Sequence, residues 1–76
     1  MKIEILGKGC PKCNRLVQNT RIAVKALGID AEIVKVTDIN RIVDYGVMNT
    51  PGFAVNGIVK SSGKVLSTKE IISLID

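Results

Sequence analysis

Residues 7–15 read "GKGCPKCNR" and hold both cysteines of the chain, Cys10 and Cys13. What surrounds this stretch decides the fold. Before it, "KIEIL" (residues 2–6) has the β-branched character of a strand, and glycines follow at once. After it the spacing turns helical. Cys13, Leu16, Val17, Thr20, Ala23, Val24 and Leu27 form one apolar stripe, with Asn14, Arg15, Gln18, Asn19, Arg21 and Lys25 between them. Pro11 suits the first position of a helix, where its missing N–H costs nothing. Cys10 is therefore expected to cap the helix and Cys13 to sit in its first turn, with Gly28 ending it in a left-handed C′ conformation.

Working onward, "AEIVKV" (residues 31–36) reads as a second strand, so a strand, a helix and a strand make a parallel right-handed crossover. Asp38 offers an N-cap for a short helix with Ile39, Ile42 and Val43 on one face and Gly46 after it. "PGFAV" (residues 51–55) runs into Asn56-Gly57, a strong hairpin signal, and "IVKS" (residues 58–61) returns. Ser67 and Glu70 have the spacing of a capping box, opening a last helix with Ile71, Ile72 and Ile75 inward. The order βαβαββα predicts an α/β fold, a four-stranded mixed sheet with flanking helices. The cysteine-bearing loop lies at the C-terminal end of a strand, where α/β proteins build their sites.

The bulk numbers bound what such a fold can be. Seventy-six residues, 46% of them hydrophobic, suit a single domain over residues 1–76 with a thin core. No apolar run approaches the roughly 18 residues that span a membrane. Strand-like residues begin at Lys2 without an export leader, so a cytoplasmic location is expected, where thiols stay mostly reduced. The net charge of +4 is scattered along the chain, and Tyr45 and Phe53 are the only aromatic residues, so nucleic acid is not an expected partner.

Three roles are open to the cysteine pair. A structural disulfide closing so short a loop contributes about 2 kcal/mol on the loop-length model, and a reducing compartment opposes it. A structural zinc site needs about four ligands, and the chain has no histidine and no third cysteine. A metal or iron–sulfur module would need thiolates from two chains. The third role is redox chemistry. A hydrogen bond from a free backbone N–H to a charged acceptor is worth roughly 1.5–3 kcal/mol, against about 0.3–1 kcal/mol for the helix dipole. Those N–H groups, with Lys8 and Lys12 nearby, are expected to hold the Cys10 thiol below the usual range and populate its thiolate. Cys13, on the apolar stripe, is expected to stay protonated and buried.

With this order and "CPKC" in place, the chain resembles small thioredoxin-like and glutaredoxin-like proteins over its whole length. A second stretch carries the resemblance too: "YGVMNTPGFAVNG" (residues 45–57) is similar to the thioredoxin segment with Tyr-Gly, Thr-Pro or Ile-Pro, an apolar strand and an Asn-Gly turn. The resemblance implies a thioredoxin-like fold and a redox-active thiol–disulfide oxidoreductase that reduces protein disulfides through a mixed disulfide. Cys10 and Cys13 would be catalytic, with Pro11, Lys12, Thr50 and Pro51 as active-site support. It also implies a cis Thr50–Pro51 bond facing the cysteines, whose neighbouring backbone would pair with an extended substrate segment. Disulfide-containing proteins and an upstream thiol reductase would be its partners. No cofactor, metal or membrane is called for, and the protein would be a monomer. A non-catalytic redox sensor is the other class that these features would serve.

The chain also departs from the pattern. Gly9 stands where thioredoxins carry Trp, and Pro11-Lys12 where they carry Gly-Pro. Lys12 replaces the usual glutaredoxin Tyr, and "SSGKVLSTKE" (residues 61–70) lacks the Gly-Gly and acidic pair by which glutaredoxins bind glutathione. Reduction by a protein partner is therefore expected. Glu4, six residues before Cys10, stands where thioredoxins carry a buried acid that moves a proton for the second cysteine. Its alternation with Ile3 and Ile5 equally suits a solvated sheet face. Arg15, Tyr45, Met48 and Phe53 read as packing or surface residues.

Overall fold

A computed structural model describes residues 1–9 and 11–75. The strand and helix order is the expected one: β1 (Lys2–Leu6), α1 (Pro11–Leu27), β2 (Glu32–Val36), α2 (Ile39–Asp44), β3 (Gly52–Val55), β4 (Ile58–Ser62) and α3 (Thr68–Ile75). The four strands form one sheet in the order β2-β1-β3-β4. β1 and β2 are parallel, as the α1 crossover requires, and β3 pairs antiparallel with both β1 and β4. β2 starts at Glu32, one residue later than expected, and Ala31 before it packs half-buried against the core.

Register puts alternate residues of β1 on opposite faces. Ile3 and Ile5, opposite Val55 and Phe53, meet Leu16, Val17 and Ala23 of α1 and Ile71 and Ile75 of α3. Burial of each large aliphatic side chain contributes about 1.5–3 kcal/mol, which makes this face the main source of stability. Ile72 is only partly buried beside it. The stripe on α1 is realised, with Thr20 buried and its hydroxyl donating to the Leu16 carbonyl at 2.7 Å. Leu6, Val36 and Ala54 point the other way and pack with Ile42 of α2 and with Val47. This second face is thinner, since one short helix covers it.

Local chemistry matches these junctions. Asn56 and Gly57 both have positive φ (52° and 84°), as a tight β3–β4 turn requires. The capping box at α3 closes in both directions, Ser67 Oγ accepting from the Glu70 N–H and Glu70 Oε1 from the Ser67 N–H, each at 3.2 Å. Asp38 caps α2, its Oδ1 accepting from the Asn40 N–H at 2.9 Å.

Candidate active site

The expected cap at Cys10 lies outside the described residues. Gly9 has φ of +78°, a conformation that strains residues with a Cβ. This accounts for a glycine where thioredoxins carry Trp. Pro11 opens α1, and it and Lys12 are exposed. Cys13, in the first turn, is 4% exposed.

Gly7 is what allows Cys13 to sit there. A Cβ on Gly7 would overlap the Cys13 Sγ and would lie 3.6 Å from the Thr50 Cβ. The Gly7 N–H continues the parallel ladder by donating to the Val36 carbonyl at 2.9 Å, which fixes the backbone against the sulfur. The head of α1 and the loop before β3 thus converge on Gly7 at the end of β1. In that loop the Thr50–Pro51 bond is cis, as the resemblance implied. Pro51 is buried and its carbonyl accepts from the Gly63 N–H at 2.9 Å, while Thr50 is exposed.

Beside this junction runs a groove of about 360 Å³. Ile42 and Val47 form its floor, Ile39, Val43 and Met48 its apolar wall, and Lys8 and Thr50 its rim. Ile39, Val43 and Met48 are 53%, 61% and 88% exposed. The apolar face expected on α2 is therefore divided, with Ile42 inward and the other two residues left on the surface.

Glu4 is not on a solvated face. It is 2% exposed, because α2 and the chain after it cover that side of β1. Two side chains from that layer meet its carboxylate. The Tyr45 hydroxyl donates to Oε1 at 2.7 Å. The Arg41 guanidinium stands 3.6 Å from Oε2, an ion pair too long for a hydrogen bond. Oε2 has no hydrogen-bond partner among the described residues. The hydrogen bond to Glu4, followed by partial burial, raises the Tyr45 phenol above its ordinary value of 10.0, so it remains a donor at neutral pH.

The structure thus gathers Cys13, Thr50 and Gly7, and sets Pro51 beside Thr50 in the chain. It places Lys12 at the exposed head of α1 and Glu4 within the α2 face. Gly7, Arg41 and Tyr45 escape sequence reasoning as site residues. For Gly7 the signal was a glycine directly after a strand and ahead of the cysteines. For Arg41 and Tyr45, four residues apart on and after α2, the signal was a one-turn spacing of two polar groups on a helix meant to cover β1.

Comparison with known proteins agrees with this fold. A family model described as "Thioredoxin domain" matches residues 1–76. The chain is 52% identical over 69 residues to a thioredoxin of Methanocaldococcus jannaschii, covering 91% of this chain and 79% of that one. It is 48% identical over 71 residues to a thioredoxin of Methanothermobacter thermautotrophicus, covering 93% and 92%. A probable thioredoxin of Methanothermobacter marburgensis is 34% identical over 67 residues. The chain belongs to the thioredoxin family. It is a thiol–disulfide oxidoreductase acting on disulfide-containing proteins. Among the described residues no helix is long and apolar enough to cross a membrane.

Proposed function

We propose that Cys10 is the attacking thiol and Cys13 the resolving thiol of this oxidoreductase. The Cys10 thiolate attacks one sulfur of a partner's disulfide, and the other sulfur leaves with the bonding electrons and takes a proton. Cys13 then loses its proton and attacks the Cys10 sulfur, and the second partner sulfur departs as thiolate and takes up a proton. The partner gains two electrons and two protons, and the chain ends with a Cys10–Cys13 disulfide. The observation that carries this assignment is the burial of Cys13 against Gly7, which shields one thiol from substrate.

The remaining residues have roles around that exchange. Pro11 starts the helix whose free N–H groups favour the Cys10 thiolate, and Lys12 and Lys8 add positive charge beside it. The exposed backbone at Thr50, held by buried Pro51, pairs with an extended partner segment as in strand addition. The apolar groove along α2 takes a side chain flanking the partner's disulfide. Glu4 accepts the proton that Cys13 loses. An upstream thiol reductase restores the dithiol, and the protein works as a cytoplasmic monomer, one domain over residues 1–76.

Replacing each cysteine tests the assignment. Cys13→Ser accumulates a mixed disulfide with a protein substrate, visible as a mass increase that dithiothreitol removes. Cys10→Ser abolishes insulin reduction. Retained turnover in Cys10→Ser overturns the assignment.

A further inference from the structure

Among the described residues, the groove beside the redox junction is lined by a single charged side chain, Lys8, and by no carboxylate. The backbone on either side fixes where that lysine starts. Gly7 before it leaves no room for a Cβ beside the Cys13 Sγ and donates its N–H to the Val36 carbonyl, and Gly9 after it takes φ of +78°. The Lys8 side chain is exposed, and among the described residues it makes no ion pair. The acids of the α2 layer stand outside the groove. Asp38 caps α2, Asp44 is exposed at its end, and Glu4 is held beneath it by Tyr45 and Arg41. Lys12 and Arg15 are exposed on α1 and do not line the groove. A Cβ on Gly7 would lie 3.6 Å from the Thr50 Cβ, so Lys8 and Thr50 mark the end of the groove nearest the cysteines. Ile39 and Val43, one turn apart on α2, form the wall farther off with Met48.

A cation at the mouth of an apolar groove offers one segment two unlike contacts. The exposed aliphatic wall gains by being covered, whereas Lys8 gains only from an anion. Pairing along the Thr50 backbone holds the partner extended, and an extended chain sends alternate side chains to one side, about 6–7 Å apart. Neighbours on that side can therefore meet the cation and the wall in turn. We infer that Lys8 is a specificity-determining residue, selecting protein disulfides flanked by an apolar side chain that enters the groove and by a carboxylate placed between that side chain and the reacting cysteine. The inference rests on the assignment of Cys10 and Cys13 above and names the partner chemistry that the groove takes. The exchange itself is unchanged: the dithiol gives two electrons and two protons to the partner disulfide, whose sulfurs become thiols. Lys12 and Arg15 draw acidic partners from a distance whatever their sequence, an attraction that salt screens. Lys8 differs because its effect depends on where in the partner the carboxylate lies. A contact at an exposed rim is modest, so it shows as discrimination between similar partners.

The test follows oxidation of the reduced protein by disulfide-linked dimers of a synthetic peptide, Leu-Gly-Asp-Gly-Cys-Gly-Asp-Gly-Leu. Its palindromic order presents the same side chains in either chain direction. Acid quenching and mass spectrometry give the second-order rate without an added reductant. Comparison peptides replace Asp by Asn, replace it by Lys, or exchange the Asp and Leu positions. At low ionic strength the Asp peptide should react about two- to fivefold faster than the Asn peptide, an advantage that shrinks as salt is added. Exchanging Asp and Leu should remove most of that advantage. Lys8→Gln should bring the Asp-to-Asn ratio to about one, and Lys8→Glu should make the Lys peptide react faster than the Asp peptide. Any change in Cys10 reactivity alters both members of a ratio alike and cancels. Lys25→Gln, in the last turn of α1, removes the same net charge and should keep the ratio. Lys8 and Lys25 are both exposed, so these variants should fold as the wild type does. A wild-type ratio near one, or one that survives Lys8→Gln, overturns the inference and leaves the dithiol assignment standing. A ratio that falls as far in Lys25→Gln, or that ignores the exchange of Asp and Leu, has the same consequence. A wild-type dimer in analytical ultracentrifugation that Val43→Ser dissociates also overturns it, since a second copy would then occupy the groove. Reduced wild-type protein that none of the peptides oxidises overturns the dithiol assignment itself, and the inference with it.

Discussion

The two faces of the sheet divide the work of this molecule. On one, α1 and α3 enclose Ile3, Ile5, Phe53 and Val55 in a cluster of aliphatic and aromatic side chains. On the other, a single short helix covers Leu6, Val36 and Ala54, and admits a carboxylate into the same layer. The first face is packed for stability. The second gives up apolar contact to hold Glu4, and leaves Ile39, Val43 and Met48 on the surface beside the redox junction. A small domain with a thin core cannot place such a compromise on both faces.

The sharpest way to break this comparison is to remove volume from the packed face. Phe53→Ala should cost about 3–5 kcal/mol in urea unfolding, whereas Val47→Ala on the α2 face should cost distinctly less. Equal losses would mean that the second face is as important to stability as the first. Gly7→Ala addresses the seam between the faces. Its new methyl overlaps the Cys13 sulfur, so it should destabilise by about 1–3 kcal/mol and alter the rate of mixed-disulfide resolution, measured by quenched-flow mass spectrometry. Unchanged kinetics would show that Cys13 does not depend on that contact.

Substitution on the groove wall should separate function from stability. Val43→Ser is expected to shift stability by no more than about 0.5 kcal/mol, as at other exposed positions. Its kcat/KM for a protein disulfide should fall about threefold or more, with a small aromatic disulfide unaffected, because only the protein reaches the groove. The smallest effect belongs to the α3 cap. Lys64 foremost, then Ser67, lowers the Glu70 carboxyl below its ordinary value of 4.5. A group whose affinity for protons falls on folding stabilises the native state above its unfolded value, and that contribution is lost as pH falls through the folded value. The melting temperature of Glu70→Gln should therefore sit slightly below that of the wild type at neutral pH and approach it in acid. A gap that widens in acid would contradict the cap.

Much of this was legible from short-range pattern. The helical stripe from Cys13 to Leu27, the Asn56-Gly57 turn and the Ser67–Glu70 box each state their structure within a few residues, because a local hydrogen bond or a helical period decides them. The Thr50–Pro51 loop was legible through family resemblance. Glu4 was not, because strand alternation says which residues share a face and is silent on what covers that face. Arg41 and Tyr45 lie 37 and 41 positions from Glu4, and nothing local links them.

By itself, then, the sequence determined the order of elements, the first turn of α1 for Cys13 and the chemistry available to the pair, all consequences of periodicity and residue type. Only the tertiary structure decided that α2 would bury Glu4, leave one of its oxygens without a hydrogen-bond partner among the described residues, and press Gly7 against a sulfur. Those depend on contacts between segments far apart in the chain, and such contacts exist only once the layers have packed.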